Sequence, residues 1–156
     1  MPEPTLAELL PTDSIATGTT ADDWRGAVRA AGALLVGAGA TTAEYTDEML
    51  ATVDTHGPYI VIAPGLALAH ARPSPAVLRT AMSWASLAKP VEFGHPQNDP
   101  VRLVVGLAAV DQDGHRSALA RLARMLADPA RLAALTDAAD PAEVHALITD
   151  YEADAA

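Results

Sequence analysis

Four short apolar segments in the middle of the chain constrain its fold more than any other feature. Pro, Gly and Asn residues separate them, and their continuous or alternating apolar character is typical of strands in a sheet. The segments read YIVIAP, LALAHA, TAMSWASL and VRLVVGLAAV, at residues 59–64, 66–71, 80–87 and 101–110. The sequence therefore predicts a sheet at the centre of the molecule.

Amphipathic helices are predicted on both sides of these strands along the chain. Residues 21–37 begin with acidic side chains and end in glycines, and a second helix is expected from about Thr42, a cap candidate, to Gly57. Three more helices follow the last strand, whereas the first twenty residues suggest only a short helix and a short strand. The expected fold is α/β, a single domain over residues 1–156 with its core at about 12–150, in which helices cover both faces of a mixed sheet.

Composition excludes several classes of function. The 156 residues include 20 acidic and 10 basic side chains, and the resulting net charge of −10 repels nucleic acid and favours partners with basic patches. There is no cysteine, so neither a disulfide nor a thiolate site is available. The N-terminal segment has no basic region followed by an apolar stretch, and no apolar run approaches the length of about 20 residues that crosses a bilayer. A cytoplasmic protein is expected.

The five histidines are the main candidates for chemistry, since imidazole changes charge near neutral pH. His56 ends a predicted helix, where a cation interacts favourably with the helix dipole. His145 lies in the last predicted helix, and a surface or half-buried position explains it. His95 lies in the loop FGHPQNDP, whose composition turn formation explains. None of these three is predicted to be a functional residue.

His70 is the strongest candidate. Strand alternation places Leu66, Leu68 and His70 on one side of the strand and small alanines on the other. A buried histidine that only needs a hydrogen-bond partner is one explanation. The alternative is a functional site, because the small neighbours would let another side chain or a phosphoryl group approach closely. Arg72, two residues further on, would supply positive charge there or simply lie on the surface at the strand end.

His115 is the second candidate, at or just inside the start of a predicted helix in DQDGHRSAL. A helix N-terminus presents free backbone N–H groups and partial positive charge, which lowers the affinity of a histidine for protons and attracts phosphate. An ordinary loop histidine at the beginning of a helix remains the alternative. A His/Asp metal site is weaker, since no two histidines are spaced three or four residues apart.

These motifs, in this order, resemble a known family: the second-type, mannitol/fructose-like IIA domains of the bacterial phosphoenolpyruvate-dependent sugar phosphotransferase system. The phosphorylation-site motif of that family resembles APGLALAHAR, with His70 at the phosphorylated position. VGLAAVDQDGHRSALARLARML places His115 at a second family histidine, and LAKPVEFGHPQNDPV is similar to the strand and loop between them. The resemblance covers nearly the whole chain. PYIVIAPGLALAHARP and PVEFGHPQNDPV are most similar to the ascorbate-type branch.

The resemblance implies a phosphocarrier. His70 would accept a phosphoryl group from the phosphocarrier protein HPr and pass it to a cysteine of a separate IIB component, with a membrane IIC component involved only indirectly. His115 would stabilise the phosphoryl group, and Arg72 would add charge or contact the partner. Neither a cofactor nor a metal is implied, and the oligomeric state is left open.

Two points stay open at this stage. The sugar would be L-ascorbate or another such as galactitol, mannitol or fructose, and a regulatory protein that keeps the phosphorylatable histidine but signals by binding other proteins is the alternative to transport. Ala69 also stands where the family usually has proline, which leaves the local backbone less fixed than in relatives and affects the expected rate or geometry more than the identity of the site.

Overall fold

The computed structural model describes residues 4–155, and a five-stranded mixed sheet lies at its centre. The strands are β1 (Ile15–Thr19), β2 (Val61–Ala63), β3 (Leu66–His70), β4 (Ala81–Val91) and β5 (Val101–Ala108). Their order across the sheet is β1-β4-β5-β3-β2. β1 is parallel to β4 and β3 is parallel to β5, whereas the β4–β5 and β2–β3 pairs are antiparallel. The predicted mixed sheet is confirmed.

Within the described part of the chain, six α-helices pack on the two faces of this sheet. They are α1 (Leu6–Leu9), α2 (Trp24–Gly37), α3 (Ala43–His56), α4 (Gln112–Leu126), α5 (Pro129–Asp137) and α6 (Pro141–Ala155). Helices α2 and α3 bury one face, and the other four bury the opposite face, so the core consists of two apolar layers. The predicted arrangement of helices on both sides is confirmed. Within residues 4–155, none of the helices has both the length and the apolar character needed to cross a membrane.

The ends of α2 and α3 follow local sequence signals. Asp23 caps α2, because its carboxylate accepts a hydrogen bond from the Gly26 N–H at 2.8 Å. Thr42 is the N-cap residue of α3 as expected, although its side chain makes no capping hydrogen bond. Gly57 ends α3 with a φ of 85°, a conformation that glycine adopts without steric cost. This turn directs the chain back towards the sheet.

Strand β4 is longer than its sequence pattern predicts. The apolar segment ends at Leu87, whereas the strand continues to Val91 through Ala88, Lys89 and Pro90, all exposed. A register shift between Ser86 and Val91 accompanies this part of the strand. This exposed Ala-Lys-Pro segment shows no apolar alternation, which explains why the sequence did not predict the extension.

The alternation predicted for β3 is confirmed, but both of its faces are buried. Leu66 and Leu68 belong to the layer against α4, α5 and α6, whereas Ala67 and Ala69 belong to the layer against α2 and α3. Both alanines have no exposed surface, so the expectation that small neighbours open His70 to an approaching group is wrong for them. Their small size instead lets two helices pack closely on the sheet.

Candidate functional site

The site lies at one edge of the sheet, where the carboxyl ends of two parallel strands meet. His70 is the last residue of β3, and β5 runs parallel to β3 before the chain enters α4. His70 lies on the same face as Leu68, which is the face that α4 covers. The imidazole of His115 on α4 therefore lies beside that of His70, with 5.5 Å between ring centroids.

The backbone of β3 fixes the tautomer of His70. Its Nδ1 atom lies 2.8 Å from the carbonyl oxygen of Leu68, two residues back along the same strand. A carbonyl oxygen can only accept a hydrogen bond, so the neutral ring carries its proton on Nδ1. The Nε2 atom then has a free lone pair. His70 is half-buried, which leaves part of the ring accessible from outside.

His115 is the fourth residue of α4, so the expected position near the helix start is correct. Its backbone N–H donates to the Asp111 carbonyl oxygen at 3.1 Å, and its side chain, not its amide, is the group that faces His70. Burial lowers the pKa of His115, and the neighbouring His70 and Arg116 lower it further. A lowered pKa keeps this imidazole neutral near pH 7, with one ring N–H to donate.

Both rings open into a pocket of about 530 Å³. Its wall includes Arg72 from the segment after β3, Tyr59 from the segment before β2, and His56 from the end of α3. Tyr59 contacts both of the histidines near it edge-on, with ring centroids 5.7 Å from His70 and 6.2 Å from His56. Such a pocket, with several N–H donors and one arginine, is suited to an anionic group such as phosphate.

Arg72 contributes charge to this pocket from an exposed position. Burial raises the pKa of the Tyr59 hydroxyl, and the positive charge of Arg72 acts on it in the opposite direction. Arg72 is two residues from His70 in the sequence, and both side chains line the same pocket.

The other two histidines lie outside this pocket. Nδ1 of His95 accepts hydrogen bonds from the N–H groups of Gln97 and Asn98, within the loop between β4 and β5. His145 is half-buried on α6, with its Nε2 3.2 Å from the Ala7 carbonyl oxygen. These contacts agree with the structural roles expected for both residues.

Sequence reasoning missed most of the pocket wall, including Tyr59, His56 and the carboxylate of Glu48. The position of His56 at a helix end was predicted, but the pattern of α3 gave no indication that this end faces the carboxyl edge of the sheet. The Gly57-Pro58 turn that follows it is the available signal, because a tight turn between a helix and a strand keeps the residues on either side close together.

Comparisons with known proteins identify the family of the chain. Residues 8–151 match the family model described as "Phosphoenolpyruvate-dependent sugar phosphotransferase system, EIIA 2". The ascorbate-specific PTS system EIIA component of Escherichia coli K12 is 43% identical over 103 residues, which is 66% of this chain and 67% of the relative. A putative PTS IIA (PtxA) from Streptococcus mutans superposes with a TM-score of 0.86 at 30% identity, covering 96% of each chain.

A second solved structure includes a partner. The complex of mannitol enzyme IIA with phosphorylated enzyme IIB from Escherichia coli matches with a TM-score of 0.78 at 26% identity, covering 88% of this chain and 95% of the other. The matches span the sheet, both helical layers and the pocket that contains His70 and His115. The chain therefore belongs to the EIIA 2 family of the phosphoenolpyruvate-dependent sugar phosphotransferase system.

Proposed function

We propose that this protein is a phosphocarrier in which His70 accepts a phosphoryl group from phosphorylated HPr and passes it to a cysteine of a separate IIB component. The observation that carries the proposal is the hydrogen bond from Nδ1 of His70 to the Leu68 carbonyl oxygen, which leaves Nε2 as a nucleophile at a pocket suited to phosphate. A phosphocarrier of this system acts in the cytoplasm, and we place the protein there.

The transfer follows from the ring geometry. The Nε2 lone pair of His70 forms the bond to phosphorus while the bond between phosphorus and the donor breaks, and the proton on Nδ1 stays against the Leu68 carbonyl. This carbonyl also stabilises the positive charge that develops on the ring. The reverse sequence of bonds, with the cysteine sulfur as acceptor, releases the phosphoryl group to IIB.

Two side chains stabilise the phosphoryl oxygens in this proposal. The neutral imidazole of His115 donates one hydrogen bond, and the exposed guanidinium of Arg72 provides positive charge or contacts the partner. The carboxylate of Glu48 also lines the pocket, and its negative charge opposes the attraction between Arg72 and a dianionic phosphoryl group. This balance suits a group that has to leave again.

The sugar that we propose is L-ascorbate. Support comes from the ascorbate-specific relatives, which are 42–43% identical over 103 residues, whereas the mannitol-type structures are 26–30% identical over 88–93% of this chain. The test is reconstituted transfer: the protein is phosphorylated with phosphoenolpyruvate, enzyme I and HPr, then mixed with an ascorbate-type or a mannitol-type IIB. The proposal expects fast transfer to the ascorbate-type IIB only.

His70→Ala is the essential variant in this assay, and His95→Ala is its matched control because His95 lies in a turn outside the pocket. Loss of labelling in His70→Ala, together with normal labelling of His95→Ala, supports the proposal. Normal labelling of His70→Ala would refute the role of His70, and preferential transfer to the mannitol-type IIB would refute the choice of sugar.

A further inference from the structure

Tyr45 is a buried side chain whose hydroxyl contacts the residue that follows His70, and the proposed transfer makes no use of it. It belongs to α3 and is 1% exposed, and its hydroxyl reaches across to the end of the sheet. The hydroxyl oxygen accepts a hydrogen bond from the Ala71 N–H at 3.0 Å and donates to the Leu107 carbonyl oxygen at 2.8 Å. The Ala71 carbonyl oxygen is a second possible acceptor at 3.2 Å.

These contacts join the two strands that carry the site. Ala71 directly follows His70, and Leu107 is the residue of β5 that pairs with His70 in the strand register. Because β3 ends at His70, the Ala71 N–H has passed beyond the regular strand pairing, and the tyrosine hydroxyl bridges it to β5. Burial raises the pKa of Tyr45 to about 12, so the hydroxyl keeps its proton at neutral pH and can accept and donate together.

The position of this bridge determines what it can control. Only a short segment connects β5 to α4, which carries His115, and the Tyr45 hydroxyl holds the end of β5 against the residue after His70. We infer that Tyr45 is a positioning residue: its hydroxyl fixes the ends of β3 and β5 and thereby sets the spacing between the His70 and His115 rings. The catalytic part of this inference rests on the proposed transfer at His70.

Tyr45→Phe tests the inference, because it removes the hydroxyl and keeps the ring that packs in the core. The matched control is Ser83→Ala, which removes another fully buried hydroxyl that joins a helix to the sheet, donating to the Ala31 carbonyl oxygen at 2.8 Å. Both variants lose stability, since each removes a buried hydrogen bond. Only Tyr45→Phe is expected to change the site.

The first measurement is independent of phosphoryl transfer. In NMR spectra, the cross-ring contact between His70 and His115 is expected to weaken in Tyr45→Phe and to persist in Ser83→Ala. The second is the rate of phosphorylation by HPr, expected to fall by roughly tenfold or more in Tyr45→Phe and less than twofold in Ser83→Ala, in line with the effect of small misplacements in active sites. An unchanged ring contact in a folded Tyr45→Phe protein overturns the inference.

Two further results distinguish a failure of this inference from a failure of the proposed function or of folding. If wild-type protein accepts no phosphate, the proposed function fails, while the ring contact in Tyr45→Phe still decides whether the hydroxyl sets the spacing. If Tyr45→Phe does not fold, hydrogen exchange of the wild-type Ala71 amide decides: slow exchange supports the bridge. Exchange as fast as that of the exposed neighbour Arg72 overturns it.

Discussion

At the scale of single residues, the site depends on which ring nitrogen carries a proton. Nδ1 of His70 is held by its own strand, and the direction of this hydrogen bond follows from the carbonyl acceptor. Burial lowers the pKa of His115, and His70 and Arg116 lower it further, which favours the neutral form of this imidazole. In the proposed transfer, the two imidazoles therefore take different roles, one as a nucleophile and one as a hydrogen-bond donor.

His115→Ala should still be phosphorylated on His70, but more slowly. The variant removes a donor to the transferring group, and loss of one such donor commonly reduces a rate on the order of a hundredfold. Single-turnover kinetics with HPr and with IIB measure the two half-reactions. Wild-type rates in both would show that His115 has no part in the transfer.

Phosphorylation of His70 should raise the pKa of His115. In the free protein this pKa is lowered from 6.5, so the unfolded chain binds more protons than the folded one, and stability falls as the pH drops from about 6.5 towards the lowered value. A dianionic phosphoryl group beside His115 favours the imidazolium and reverses the shift. NMR titration of both forms is the measurement, and identical titration curves would be inconsistent with contact between His115 and the phosphoryl group.

At the scale of elements, the site depends on how closely α3 packs on α2 and on the sheet. Gly32 on α2 allows this approach, because a Cβ atom there would lie 2.2 Å from the Thr46 hydroxyl oxygen of α3. Helix α3 in turn carries Tyr45 and His56, which face the carboxyl edge of the sheet. A small residue at a helix crossing thus affects the position of the pocket wall.

Gly32→Ala should destabilise the protein by about 1–3 kcal/mol, since the added methyl group forces α3 away from α2. Gly37→Ala in the same helix is the control, because a Cβ atom there meets nothing within 4 Å and alanine favours helix. Urea unfolding measures both. The double variant Gly32→Ala/Thr46→Ala should recover part of the loss, and equal stability of the two single variants would contradict this account of the packing.

The helices, the strands and the two main histidines could be predicted from the sequence, because each has a local signal. His70 ends an apolar alternating run, and His115 follows a capping Asp and a Gly. Tyr45 lies on α3, but the partners of its hydroxyl, Leu107 and Ala71, are 62 and 26 residues away along the chain. Tyr59 and His56 were not predicted as pocket residues, because their placement depends on tertiary packing that no local pattern describes.

At the scale of the whole molecule, the net charge and the position of the pocket affect how a partner protein binds. The net charge of −10 is spread over a chain whose pocket contains an arginine and several histidines. A basic partner surface is attracted to such a protein over distances comparable to the Debye length. The pocket itself lies at the carboxyl ends of β3 and β5, and His70 there is half-buried.

Phosphoryl transfer from HPr should therefore slow down as salt is added. Raising the ionic strength from about 50 to about 500 mM should lower kcat/KM several-fold, while kcat at saturation changes little. The reason is that salt screens the charge attraction that brings the two proteins together, whereas the transfer step takes place after they have bound. Stopped-flow or quenched-flow kinetics over this range are the measurement. A salt-independent kcat/KM would show that charge attraction does not guide this encounter.

The identity of the phosphorylated atom tests the central claim most directly. Protein labelled with ¹⁵N in its histidines is phosphorylated with phosphoenolpyruvate, enzyme I and HPr, and the ³¹P–¹⁵N coupling identifies the nitrogen that carries phosphorus. The account predicts a single phosphohistidine at Nε2 of His70, because Nδ1 is engaged with the Leu68 carbonyl oxygen. Phosphorus on Nδ1 of His70, on His115 or on any other residue would contradict it.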